Sequence, residues 1–175
     1  MLSLSHLRTL RLRSPLRLSL LAALMLAAVV GLFTPALFAA GKEIYPVPEQ
    51  APTDLAAALK TAAAEHKHLI LDFGGNWCGD CQVLDIYFHD PANKPLLEAN
   101  YLLVHINIGH MDRNQEIAER YQIPLKKGVP ALAVLDEHGK LLYSQRNGEF
   151  EAMRRMEIGS VTSFLLQWKP AHAGM

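Results

Sequence analysis

The sequence predicts an α/β domain: a mixed central β-sheet with helices on both faces. Three observations carry this expectation. Apolar stripes at helical spacing alternate with short apolar runs closed by glycine or polar residues, in the order α, β, α, β, α, β, β, α. The early strands are separated by helices and need a crossover, whereas the last two are separated by "EHG" alone and need an antiparallel hairpin. At 175 residues the chain suits one domain with a sizeable core and is too short for two ordinary domains plus a leader.

Taken in order, Arg8, Arg11, Arg13 and Arg17 precede the first acid, Glu43, and are followed from Leu18 to Gly41 by an uncharged apolar stretch. That arrangement is expected of an export signal, with Ala39, Ala40 and Gly41 as a cleavage site, or of a membrane anchor through residues 18–40. Residues 1–41 are therefore read as a signal peptide or anchor helix, with the alternatives of cleavage and retention both open. Either places the domain outside the cytoplasmic membrane, in the periplasm or beyond. The proline-containing residues 42–52 read as a linker, residues 53–169 as the domain and residues 170–175 as a tail.

Within the domain, Thr53 or Asp54 is placed to cap a helix through "DLAAALKTAAAEHK", and "HLILDFG" reads as a buried strand. Val83, Leu84, Tyr87 and Phe88 form a helical stripe that must stop before Pro91. A helical turn in "NKPLLEAN", a strand in "YLLVHINI" and a helix in "MDRNQEIAERYQI" follow. "ALAVLD" and "KLLYSQ" form the hairpin, with Gly139 supplying its turn. Val161, Phe164, Leu165 and Trp168 mark the core face of a last helix in "GSVTSFLLQW". Residues 147–159 show only a polar connection.

Charge excludes one class of partner. Without the four leader arginines, 13 basic residues face 17 acidic ones, so the domain has no electrostatic footprint for nucleic acid. No phosphate-cradling glycine motif is present, and no organic or nucleotide cofactor is implied.

The chemistry concentrates in Trp77-Cys78-Gly79-Asp80-Cys81, which holds both cysteines of the chain. A strand ending at Gly74-Gly75 and turning into a helix puts Cys78 near the first helical turn, where unpaired N–H groups and the macrodipole favour a thiolate. Cys81, three residues on, lies on the same face and can resolve a mixed disulfide formed at Cys78. Two other uses remain open. A lone C-x-x-C supplies two zinc ligands of four, the rest having to come from His89, His105 or His110. A structural disulfide would close a very small loop and constrain the unfolded chain little.

Three pieces in order, "LDFGGNWCGDC", "VHINI" and "GVPALAVLDEHGKLL", resemble the thioredoxin superfamily over roughly residues 53–168. The proline-flanked helix and "FHDP" are most similar to its periplasmic branch, of the kind found in the C-terminal domain of DsbD. The resemblance implies a thioredoxin fold and a cis peptide bond at Val129-Pro130 facing the cysteines. It further implies partner contacts at Trp77, Val129 and Pro130, and places a buried acid at Asp72, six residues before Cys78, as proton acceptor for Cys81. The chain departs from the pattern at Asp80, where proline is common, and at Gln82, where lysine is common. A negative Asp80 beside Cys78 would oppose the helix dipole and make the pair a better reductant, while a screened Asp80 would only suit the helix start. Lys126 and Lys127 are either partner-selecting or simply solvated.

The implied activity is thiol-disulfide exchange with disulfide-containing proteins by an exported reductant, supplied by a membrane-embedded electron donor. An oxidase or isomerase is the alternative within the same chemistry. A copper- or zinc-handling module without catalysis is the alternative from another class.

Overall fold

The computed structural model describes residues 43–171. The expected leader and anchor, and most of the tail, lie outside the described residues. Among those described, no helix is long and apolar enough to cross a membrane.

The elements follow the expected order. Helix α1 (Ala51–Glu65) leads into β1 (His68–Gly74), then α2 (Gly79–Phe88), α3 (Lys94–Asn100), β2 (Tyr101–Asn107), α4 (Gln115–Arg120), β3 (Ala131–Leu135), β4 (Leu141–Ser144) and α5 (Gly159–Trp168). The sheet order is β2-β1-β3-β4. β2 runs parallel to β1 after the α2–α3 crossover, while β1–β3 and β3–β4 are antiparallel. β1 is buried from Leu69 to Gly74 because it has a strand on each side and helices on each face, which explains its nearly continuous apolar sequence.

Alternate residues of β1 serve opposite cores. Leu69, Leu71 and Phe73 pack with Leu55 and Ala62 of α1 and with Ile117 and Ala118 of α4. Ile70 packs with Leu84 and Phe88 of α2, Leu97 of α3, and Val161, Phe164 and Leu165 of α5. Asp72 and Gly74 continue the Ile70 side, the side covered by α2, and end there as the polar residue and the gap that build the site.

Some boundaries differ from expectation. α1 starts at Ala51, with Gln50 at the cap position and no side-chain cap, because a short 3₁₀ turn over Pro48–Gln50 already feeds chain into the helix. The helix expected over residues 111–123 is confined to Gln115–Arg120. Met111 and Asn114 adopt positive φ, and the Asn114 amide donates to the carbonyls of Pro48 and Asn107, which fixes a loop where helical spacing alone suggested a turn of helix. The hairpin turns at Gly139, φ +81°, with Asp136 Oδ1 accepting from the N–H groups of His138 and Lys140. Trp168 is half-buried against Tyr143, with ring centroids 5.1 Å apart.

Candidate active site around the cysteine pair

At the end of β1 the chain turns through Gly75, whose carbonyl accepts the Cys78 N–H, and places Cys78 at the N-cap of α2. The cap is made by sulfur: Cys78 Sγ accepts the Cys81 N–H at 3.1 Å. Cys78 and Cys81 are joined as a disulfide, 5% and 0% exposed. The Val129-Pro130 bond is cis, and the Val129 carbonyl oxygen stands 3.7 Å from Cys78 Sγ. Trp77, half-exposed, donates from Nε1 to the Gly109 carbonyl and stacks on His110. The structure thus brings together Trp77, Cys78, Cys81, Val129 and, through its cis bond, Pro130.

Asp72 lies in the layer beneath. It is fully buried, and its Oδ2 accepts the Tyr45 hydroxyl at 2.7 Å and stands 3.0 Å from His105 Nδ1. Its Oδ1 is buried and has no hydrogen-bond partner among the described residues. Tyr45 was not expected here, because residues 42–52 read as a linker. Asn76 holds that segment, accepting from the Ile44 and Tyr45 N–H groups and donating to the Tyr45 carbonyl. Burial, reinforced by the charge of Asp72, pushes the Tyr45 hydroxyl well above its usual value.

Asp80 is paired. Arg154 donates to both of its carboxylate oxygens, from the backbone N–H to Oδ1 and from Nε and Nη2 to Oδ2, at 2.9–3.1 Å. The guanidinium holds the Asp80 carboxyl below its ordinary value. Arg154 comes from the stretch that sequence left as a polar connection. That connection is anchored by Phe150 and fully buried Met153 in the core shared with α2.

The histidines weighed as metal ligands are engaged separately: His89 with Asp85, His105 with Asp72, and His110 with Trp77. No group of three histidine, cysteine or carboxylate side chains among the described residues converges as a metal site. Lys126 and Lys127 are exposed in a 3₁₀ turn, with Lys126 on a groove also lined by Met111, Ile123 and Leu125.

Sequence could have found one of the missed residues. β1 and β2 each have seven residues and pair in register, so the polar residue at the fifth position of each, Asp72 and His105, must be neighbours. Nothing local marks Tyr45 or Arg154, whose contacts span 27 and 74 residues.

A family profile described as Thioredoxin-like matches residues 50–137, about half of the chain and the whole stretch from α1 to the end of β3. The chain belongs to the thioredoxin-like family. Its relatives include the thiol:disulfide interchange protein DsbD of Pseudomonas fluorescens, 25% identical over 122 residues that make up 68% of this chain and 19% of that one. Thioredoxin-1 of Drosophila yakuba is 29% identical over 79 residues, 45% of this chain and 66% of that one. The chain thus spans about a fifth of the first relative and just under two thirds of the second. Among solved structures, a disulphide isomerase from Xylella fastidiosa superposes with a TM-score of 0.68 at 31% identity, covering 72% of this chain and 96% of that one. With its C-x-x-C disulfide, this thioredoxin-like chain is homologous to thiol-disulfide oxidoreductases.

Proposed function

We propose that this thioredoxin-like protein is an exported reductant that exchanges disulfides with partner proteins through Cys78 and Cys81. The observation that supports this best is the placement of Cys78: its sulfur caps α2 below an exposed tryptophan and beside the Val129 carbonyl. A thiolate there gains from the helix N-terminus, and a partner strand would meet Trp77, Val129 and Pro130. Reduced Cys78 attacks the partner disulfide, Cys81 resolves the mixed disulfide, and Asp72 accepts the proton that Cys81 gives up. Residues 1–41 carry the domain across the membrane as a signal or anchor, and residues 53–169 hold the catalytic fold. A membrane-embedded donor returns the pair to the dithiol.

A second reading, a disulfide oxidase or isomerase, has its own support. The chain is 31% identical to a protein described as a disulphide isomerase, and the Asp80–Arg154 pair removes much of the charge that would disfavour the Cys78 thiolate. The reduction potential of the pair, from free thiols counted in defined thiol-disulfide buffers, separates the two. A value near −270 mV, roughly that of thioredoxin, supports the reductant, and one near about −120 mV makes the protein a disulfide donor.

A further inference from the structure

The segment before α1 delivers one aromatic side chain into the interior. Tyr45 is 3% exposed and packs with Cys78 and Cys81. Its ring stands edge-on to His105 at 5.0 Å, and its hydroxyl donates to Asp72 Oδ2. Gly74 locates that hydroxyl relative to the sulfur. A Cβ on Gly74 would stand 2.5 Å from Tyr45 Oη and 2.7 Å from Cys81 Sγ. Both atoms lie within 2.7 Å of that one point, so the Tyr45 oxygen and the Cys81 sulfur line the same side of β1 within one packed cluster, while the hydroxyl donates its proton to Asp72.

We propose that Tyr45 is a catalytic residue of the resolving step, passing the Cys81 proton to Asp72. The inference rests on the exchange reaction proposed above. In the mixed disulfide, the Cys81 thiol gives its proton to Tyr45 Oη as the Tyr45 hydroxyl proton moves to Asp72 Oδ2. The Cys81 sulfur then attacks Cys78 Sγ, the Cys78–partner bond breaks, and the partner sulfur leaves with the electron pair as a thiolate. The dithiol loses two electrons, the partner disulfide gains them, and Asp72 holds one proton until it returns to solvent.

A buried phenol suits this task. Its raised pKa keeps the hydroxyl neutral between transfers, so no phenolate accumulates. The groups that set the pH response face Tyr45 from three elements: Asp72 on β1, His105 on β2 and Asp85 on α2, the last joined to His89. A residue that only filled space would need the ring and not the hydroxyl.

The test uses the reduced full-length chain with glutathione disulfide as probe, acid-quenched and weighed so that mixed-disulfide formation and its resolution are timed separately. Tyr45→Phe should form the mixed disulfide at the wild-type rate and resolve it about tenfold or more slowly, with a flattened pH profile. In an Asp72→Asn background the same change should add nothing further. Fluorotyrosine placed at position 45, which keeps shape and hydrogen bond, should shift the resolving rate and its pH profile with the altered phenol acidity. That variant also carries the test if Tyr45→Phe does not fold. If wild type forms no mixed disulfide, the exchange reading itself fails and takes the relay with it. If wild type completes both steps, an unchanged resolving rate and pH profile in Tyr45→Phe overturns the relay alone. Equal slowing with and without Asp72 overturns it as well.

Discussion

At Gly74 an absent side chain lets Tyr45 and Cys81 share one side of β1. Gly74→Ala would push a methyl group into both. In a packed interior this overfilling costs about 1–3 kcal/mol, expected as a lower denaturant midpoint for the oxidised chain at unchanged slope. Arg154 acts at the start of α2, through Asp80. Arg154→Ala should leave Asp80 to face Cys78 uncompensated and raise the pH at which Cys78 titrates by a few tenths of a unit, read by thiolate absorbance of the reduced chain. The sign with pH follows from the depressed Asp80 carboxyl. Its contribution to stability is present above the ordinary value of 3.8 and is lost as pH falls through the depressed one, so any stability gap between wild type and Arg154→Ala should close in acid. An unchanged Cys78 titration would mean that solvent already screens Asp80. The cysteines, Asp72 and Pro130 were legible because spacing and motif are local. His105 was legible only through the register of two seven-residue strands, and Tyr45 and Arg154 were not, since each works through a partner 27 or 74 residues away.

Among the elements, the best predicted were those built into the two cores. β1, β2, α2 and α5 carry clean apolar runs or stripes because the sheet and its helical layers impose them. The segment before α1 read as linker because its prolines break periodicity, although those prolines leave an extended strap that one asparagine can hold. Asn76 makes three hydrogen bonds to the backbone of Ile44 and Tyr45. Asn76→Ala should free the strap, costing about 1–3 kcal/mol, with the Ile44 and Tyr45 amides exchanging with solvent far sooner than those of β1. Equal protection before and after the substitution would show that Tyr45 packing alone fixes the segment. The helix foreseen over residues 111–123 was shortened for a similar reason: Asn114 spends its amide on two distant carbonyls, a competition that periodicity does not register.

On the scale of the whole domain, three tyrosines tie its layers together and make its stability depend on alkaline pH. Tyr45 joins the N-terminal strap to β1. Tyr101 of β2 donates to the Leu165 carbonyl of α5, and Tyr143 of β4 packs against Phe164 and Trp168 of the same helix. Burial raises all three: Tyr45 and Tyr101 far above the ordinary value of 10.0, and Tyr143, helped by the charge of Glu149, to about 12. Above pH 10 the unfolded chain therefore releases protons that the folded chain keeps. The unfolded state binds fewer protons, and stability must fall as pH rises. Each fully buried tyrosine contributes up to about 1.4 kcal/mol per pH unit, and the half-exposed Tyr143 contributes less and stops near its own raised value. Denaturant midpoints should hold steady up to the ordinary tyrosine value and drop beyond it, with the tyrosinate absorbance of Tyr45 and Tyr101 appearing together with unfolding. Tyr101→Phe, which removes one of the two steepest contributors, should flatten that decline by about one proton while leaving the site beneath α2 unchanged. Tyrosinate absorbance that developed fully in the folded chain would contradict this picture, because it would mean that the layers part at these hydroxyls before the core does.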